Sequence, residues 1–314
     1  MAIENNDGVL YLKYRPTSLE DMVGNKQVIS VLDRLLSGEG GQPFPHSILF
    51  HGPTGCGKTT LARIVACRLG AKGGDVVEID SADFRGIDTI RSIRSQCRYQ
   101  PLEGACRVWI LDEVHRATND AQSALLKVLE DTPSHVYFIL CTTDPQKLLP
   151  TILGRCAQFQ VTPLNENEMR VLLRRVVKAE GESLDKALYN QIARDSLGRP
   201  RNALQILAQV VAAEPEQRLE VARRSAELQS ETIELCRALL NGSPWKKISN
   251  ILKGLADEDP ESVRRAVLGY CQSVLLSGQR NDRAAMVIEE FLEPFYQSGR
   301  AGLVYACYSI MFGE

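Results

Sequence analysis

The 314-residue chain contains no run of about 18 consecutive apolar residues, so no membrane-spanning helix is expected. It also lacks a charge excess. Lys and Arg total 37 against 39 Asp and Glu, a net charge of −2, which excludes a domain that is basic throughout while leaving room for a local basic patch. No two of its nine cysteines stand as CxxC, and the four histidines lie near no such pair. A zinc site and a secreted disulfide scaffold therefore lose their usual sequence support. Several cysteines sit in apolar stretches, where they read as small buried hydrophobes. Residues Met1 to Asp7 are polar and acidic, without the basic and apolar regions of a secretory leader, so a reduced cytoplasmic compartment is the expectation. Repeats and low-complexity segments are absent. What is present is ordinary globular composition, 44% hydrophobic and 24% charged, with length for about two domains.

The first half alternates short apolar runs with helical patterns, as a parallel α/β sheet does. Strands are predicted at Ser47–His51, Val76–Asp80, Arg107–Asp112, Val136–Thr142 and Ala157–Val161. Helices are predicted at Lys58–Leu69, Asp88–Tyr99 and Asp120–Glu130, the last with Ala121, Ala124, Leu125, Val128 and Leu129 on one face. After Thr162 and Pro163 the alternation stops, and helices follow at Asn165–Glu180, Lys186–Ser196 and Arg201–Ala213. A polar segment, Glu214–Gln217, then leads into a tail that is helical from about Leu219 to Glu314. The predicted organisation is an α/β domain over residues 1–162, a small helical domain over 163–213 and an all-helical domain over 219–314.

Gly52, Pro53, Thr54, Gly55, Cys56, Gly57, Lys58, Thr59 and Thr60 fit G-x-x-x-x-G-K-[ST], between a predicted strand and a predicted helix. The glycines let successive backbone N–H groups turn inward, forming an anion-binding nest at a helix N-terminus. Lys58 would reach the β- and γ-phosphates of ATP, and the Thr59 hydroxyl would ligate Mg²⁺. Downstream, an apolar strand ends in Asp112 and Glu113. Asp112 would hold Mg²⁺ and Glu113 would orient the attacking water. His115 reads as structural. At the end of the next strand, Thr143 is chosen over Thr142 as the polar contact to the γ-phosphate or the water.

Two arginines complete the pattern, Arg155 just before the last strand and Arg201 in the first turn of a helix beyond it. With Lys13-Tyr14-Arg15-Pro16, Asp21-Met22-Val23-Gly24 and the run Thr142 to Leu148, these residues resemble AAA+ clamp-loader ATPases. The resemblance is to the gamma/tau-type subunits of bacterial DNA polymerase III, over about residues 10–210, and also to phage and archaeal small loader subunits. It implies a P-loop AAA+ domain with a five-stranded parallel sheet, a helical lid and an all-helical collar. It implies that Tyr14, Arg15, Pro16 and Val23 line the adenine pocket and that Thr143 is sensor 1. Arg155 would be a finger reaching a neighbour's γ-phosphate, and Arg201 would be sensor 2. The implied partners are other loader subunits in an oligomer (a pentamer in the family), a sliding clamp and primer–template DNA.

Two departures stand out. Gly154 precedes Arg155 where the family usually has Ser. Only Ala71–Asp75 occupies the place where bacterial relatives carry a four-cysteine zinc module, so no zinc is expected.

DNA contacts are expected from the Asp88–Tyr99 helix, where Arg91, Arg94 and Arg98 fall in a stripe about 60° wide, with Arg85 just before it. Such a stripe gives sequence-independent, salt-sensitive affinity for phosphates, although it also serves as a solvated face or a subunit contact. Thr118, ahead of the next helix, could offer a hydroxyl to a phosphate. Two alternatives remain at this level: another AAA+ DNA-processing motor, such as one for branch migration, or a loader scaffold subunit that does not hydrolyse ATP.

Overall fold

A computed structural model describes residues 9–39, 41, 43–80, 86–229, 231–276 and 280–312. The chain enters through α1 (Leu10–Lys13) and α2 (Lys26–Ser37), then runs β1 (Ser47–His51), α3 (Lys58–Arg68), β2 (Val76–Ile79), α4 (Ile87–Gln96) and β3 (Arg107–Leu111). It continues through α5 (Asn119–Glu130), β4 (Val136–Thr142), α6 (Pro150–Leu153) and β5 (Ala157–Gln160). The five strands form one parallel sheet in the order β2-β3-β4-β1-β5.

The central strands β1, β3 and β4 are mostly apolar and buried on both faces, as a parallel sheet between helices requires, whereas the edge strands β2 and β5 carry the exposed Glu78, Gln158 and Gln160. Along β3, Trp109 and Leu111 face one way, joining Phe138 and Leu140 of β4 against Ile90 and Ile93 of α4 and Leu125 of α5. Val108 and Ile110 face the other way, with Ile48 and Phe50, against Leu32 of α2 and Leu61 and Val65 of α3. This period-two alternation makes a three-layer domain. β1 lies between β4 and β5, so the carboxyl ends of β1, β3 and β4 emerge side by side, where open α/β sheets bind ligands.

In the segment 71–75, Gly73–Asp75 forms a single 3₁₀ turn. Asp75 is fully buried and accepts the backbone N–H groups of Leu102, Glu103 and Gly104 at 2.7–2.8 Å. Desolvation opposes its charge, but those bonds and Arg107 prevail and hold its pKa below the ordinary value.

The predicted strands and helices are found within one to three residues of their expected bounds. The largest difference is α4, which ends at Gln96 rather than Tyr99. Arg98 thus falls in the turn beyond the regular helix.

Contacts divide the chain into two compact units, Met1–Glu168 and Met169–Glu314. The second is helical: α7 (Glu166–Ala179), α8 (Lys186–Asp195), α9 (Pro200–Ala212), α10 (Arg218–Gln229), α11 (Glu231–Leu240), α12 (Trp245–Gly254), α13 (Pro260–Leu276), α14 (Asp282–Glu290) and α15 (Gly299–Phe312). All nine cysteines are free thiols, and only Cys67 is exposed. Burial pushes the Cys271 and Cys307 thiols up to about 12, consistent with inert core residues. Among the described residues, no helix is long and apolar enough to cross a membrane.

One buried ion pair joins three helices of this unit. Asp195, at the end of α8, accepts from Arg237 of α11 at 2.5 Å and from Gln191 at 2.7 Å, and lies 3.5 Å from the Tyr270 hydroxyl of α13. Burial pushes the Asp195 carboxyl up, and the Arg237 guanidinium opposes that shift. Removing one partner of a buried pair leaves the other charge uncompensated. Arg237→Met is therefore expected to destabilise the chain by about 3–5 kcal/mol, measured by chemical denaturation. Adding Asp195→Asn should recover part of that loss, because no charge is then stranded.

Candidate active site

The phosphate loop leaves β1 at Gly52, whose N–H donates to the carbonyl of Thr142 at 3.2 Å. Gly52 has φ +148°, and a Cβ there would sit 2.0 Å from the Val161 carbonyl oxygen. Only glycine fits, because the loop must turn against the backbone that follows β5. Gly57, at φ +102°, ends the loop and starts α3. The loop and helix N-terminus thus form the nest that the sequence pattern requires.

Lys58 is buried, and its ammonium donates to the carbonyls of Gly52 at 2.8 Å and Pro53 at 3.0 Å. Desolvation lowers its pKa, opposed by the charges of Glu113 and Asp112. The Thr59 hydroxyl donates to Asp112 Oδ2 at 2.6 Å. Asp112 itself extends β3, with its N–H bonded to the Ile79 carbonyl, and its Oδ1 accepts from the Glu113 N–H at 2.9 Å. The chain then turns sharply. Glu113 takes a left-handed conformation at φ +50°, which re-aims its carboxylate.

Two groups converge on that carboxylate. Thr143 Oγ1 donates to Glu113 Oε2 at 3.1 Å, and His115 Nδ1 lies 3.2 Å from the same oxygen. His115 Nδ1 also lies 3.0 Å from the hydroxyl of Thr142, which is buried. Burial lowers the His115 pKa, favouring the neutral ring despite the nearby Glu113. Sequence reasoning set His115 aside. Its spacing two residues after Glu113, across a tight turn, was the available signal.

A second neighbour missed in the sequence is Asp80. Parallel pairing aligns Ile79 with Leu111, so the residues that follow, Asp80 and Asp112, come side by side. Carboxylate oxygens of Glu78, Asp80 and Asp112 lie within 4.8 Å of one another. Glu78 is engaged by Arg63 at 2.7 and 2.8 Å. The all-oxygen set of Thr59 and Asp112 suits a hard cation such as Mg²⁺.

The remaining candidates are more scattered. Tyr14, Arg15 and Pro16 are half-buried just after α1, with the Lys13 ammonium 5.5 Å from the Tyr14 ring. Val23 is half-buried, and its neighbour Met22 reaches the loop: its Cε would be 3.5 Å from a Cβ on Gly57. Asn25 fixes this segment by exchanging hydrogen bonds with the Thr162 backbone at 3.0 and 2.8 Å. Thr54 is exposed, and Cys56 is buried within the loop. Arg155 is partly exposed and ion-paired with Glu130. Arg201 is exposed near the start of α9, within the second unit.

Of the DNA-facing candidates, Arg91 is exposed and paired with Asp88 at 3.0 Å, and Arg94 is exposed on the same helix. Arg85 lies outside the described residues. With Arg98 beyond α4, two arginines of the stripe remain on the regular helix. Thr118 caps α5, its hydroxyl accepting the Ala121 N–H at 3.2 Å.

With this geometry in place, comparison with known proteins is informative. The gamma/tau subunit of DNA polymerase III from Mycobacterium tuberculosis H37Rv is 38% identical over 226 residues, covering 65% of this chain and 39% of that subunit. The tau subunit of Escherichia coli K12 is 34% identical over 227 residues, with coverages of 65% and 35%. This chain is a homologue of the gamma/tau subunits. It spans about two fifths or less of the length of these relatives. The family model for the DNA polymerase III delta subunit matches residues 71–165 of this chain, from just before β2 to just past β5. Among solved structures, a RuvB variant from Thermotoga maritima superposes with a TM-score of 0.60 at 19% identity, covering 86% of this chain and 94% of that one. Another, described as a Holliday junction branch migration motor, gives 0.57 at 21%, with coverages of 72% and 79%. These likenesses show the fold of the chain, a parallel α/β domain followed by helices.

Proposed function

We propose that this chain is an ATP-hydrolysing clamp-loader subunit, working in an oligomer that opens a sliding clamp and places it on primer–template DNA. The observation that carries the reading is the convergence of Lys58, Thr59, Asp112, Glu113 and Thr143 at the strand ends of a chain 34–38% identical to gamma/tau subunits.

In this reading the nest 52–60 cradles the phosphates of ATP, and Lys58 swings from its loop carbonyls to the β- and γ-phosphates. Thr59 and Asp112 would hold Mg²⁺, which supplies neutralisation of the phosphate charge. Glu113, held by Thr143, orients water for in-line attack and accepts its proton. Arg155 serves the site of a neighbouring subunit, so hydrolysis waits for assembly. Arg201 reports on ATP in its own chain, and Tyr14, Arg15, Pro16 and Val23 surround the adenine. Arg91, Arg94 and Thr118 meet DNA phosphates. Residues 1–162, 163–213 and 219–314 act as AAA+ domain, lid and collar, in a cytoplasmic assembly that is a pentamer by resemblance. Tyr305, Tyr308 and Phe312, exposed on a helix that is also apolar on its inner face, support packing between collars.

The branch-migration alternative draws on fold likeness alone. The non-hydrolysing alternative conflicts with a complete set of phosphate, metal and water-orienting residues. ATP turnover measured alone, with primed DNA, and with primed DNA plus a cognate clamp is expected to rise at each step. Turnover indifferent to both ligands, or stimulated by a four-way junction instead, would overturn the loader reading.

A further inference from the structure

The geometry points to Glu130 as the positioning residue of Arg155, a role that rests on the reading of Arg155 as a group acting on a neighbour's γ-phosphate. Arg155 follows Gly154 and precedes the buried Cys156. Gly154 has ordinary helical dihedrals and space for a side chain, a Cβ meeting nothing closer than 3.5 Å. Its glycine is therefore not demanded by the fold, and it leaves the backbone before Arg155 without a side chain to anchor it. The arginine must be fixed from elsewhere, because a long side chain at a partly exposed position otherwise samples many rotamers.

Two acceptors fix it. Glu130 Oε1, at the last residue of α5, takes Arg155 Nη2, and the Thr151 carbonyl takes Nη1 at 3.3 Å. A guanidinium has five N–H donors in a rigid fork, so these two bonds set its plane and leave other donors for an incoming phosphate. Glu130 is itself well placed to hold. Its helix is capped by Thr118 at one end, pinned in its first turn by the buried Gln122 and packed through the buried Val128 and Leu129. The Gln122 side chain donates to the carbonyls of Ala117 and Lys147 and accepts from the Leu149 N–H. The Glu130 carboxylate is thus carried on a packed helix, while its partner sits just past the last turn of α6. Both side chains are about 40% exposed, so the pair contributes little to stability and its value lies in orientation.

The experiment compares ATP turnover of the assembled oligomer, with DNA and clamp, for Glu130→Ala, Glu130→Asp, Arg155→Ala and the double variant Glu130→Ala/Arg155→Ala. Glu130→Ala is expected to lower kcat on the order of tenfold with KM for ATP unchanged, and Glu130→Asp to recover part of it. The double variant should be no slower than Arg155→Ala alone, because Glu130 acts only through that arginine. Mixed with Lys58→Ala chains, which keep an intact Glu130 and Arg155, Glu130→Ala chains should regain turnover. An unchanged or raised rate in Glu130→Ala, or additive losses in the double variant, would overturn the positioning role. Full activity in Arg155→Ala would instead overturn the finger reading beneath it.

Discussion

Arg155→Ala is expected to lower the DNA- and clamp-stimulated ATP turnover of the assembly by about 10³-fold or more, the range found for arginine fingers on other P-loop enzymes. The reason is electrostatic. Negative charge is spread over the equatorial oxygens of the phosphoryl group in the transition state, and a guanidinium brought there from outside stabilises that charge far more than it stabilises bound ATP. Arg155 suits this part because it is partly exposed and, among the described residues, is held by a surface pair and one backbone carbonyl. ATP affinity of the single chain should be unchanged, since Lys58, Thr59 and Asp112 remain in place. Mixing supplies the decisive measurement. Arg155→Ala chains combined with Lys58→Ala chains should recover turnover, because each lends the other what it lacks. Recovery would be absent if Arg155 served its own site.

Glu113→Gln is expected to reduce kcat by about 10²–10⁴-fold, the usual contribution of a positioned general base, while ATP binding persists. The substitution keeps the size of the side chain and an oxygen for the Thr143 hydroxyl, and it keeps the backbone N–H that Asp112 Oδ1 accepts. What it removes is the acceptor for the water's proton. Equilibrium binding of ATP beside single-turnover hydrolysis separates the two effects. If turnover stays within about threefold of the parent chain, the base lies elsewhere. His115 is then the group to replace, since its Nδ1 lies 3.2 Å from Glu113 Oε2.

Most of the site was legible because its chemistry is local in sequence. A nest needs glycines at fixed offsets from a lysine, and Asp112 and Glu113 announce themselves at the end of an apolar strand. The misses share a cause. Asp80 comes beside Asp112 only because β2 and β3 pair in a particular register, and Met22 reaches Gly57 only because Asn25 ties its segment to Thr162. Glu130 and Arg155 are 25 residues apart in sequence and meet through packing between α5 and α6. Even α4 obeyed this division. Its arginine stripe was readable, but its end at Gln96, which sets Arg98 apart from Arg91 and Arg94, was not.

The sequence by itself determined the order of strands and helices, the absence of a charge excess and the place of the glycine-rich loop between β1 and α3. Each of these follows from periodicity, from counting or from backbone freedom at particular glycines. Eight of the nine thiols are buried, and Arg91 and Arg94 lie on α4. Tertiary structure alone decided which strand ends stand together, that the Thr143 and His115 side chains meet at Glu113, and that Arg155 pairs with Glu130. Those outcomes depend on strand order, a left-handed turn and contacts distant along the chain, none of which a local pattern of residues can encode.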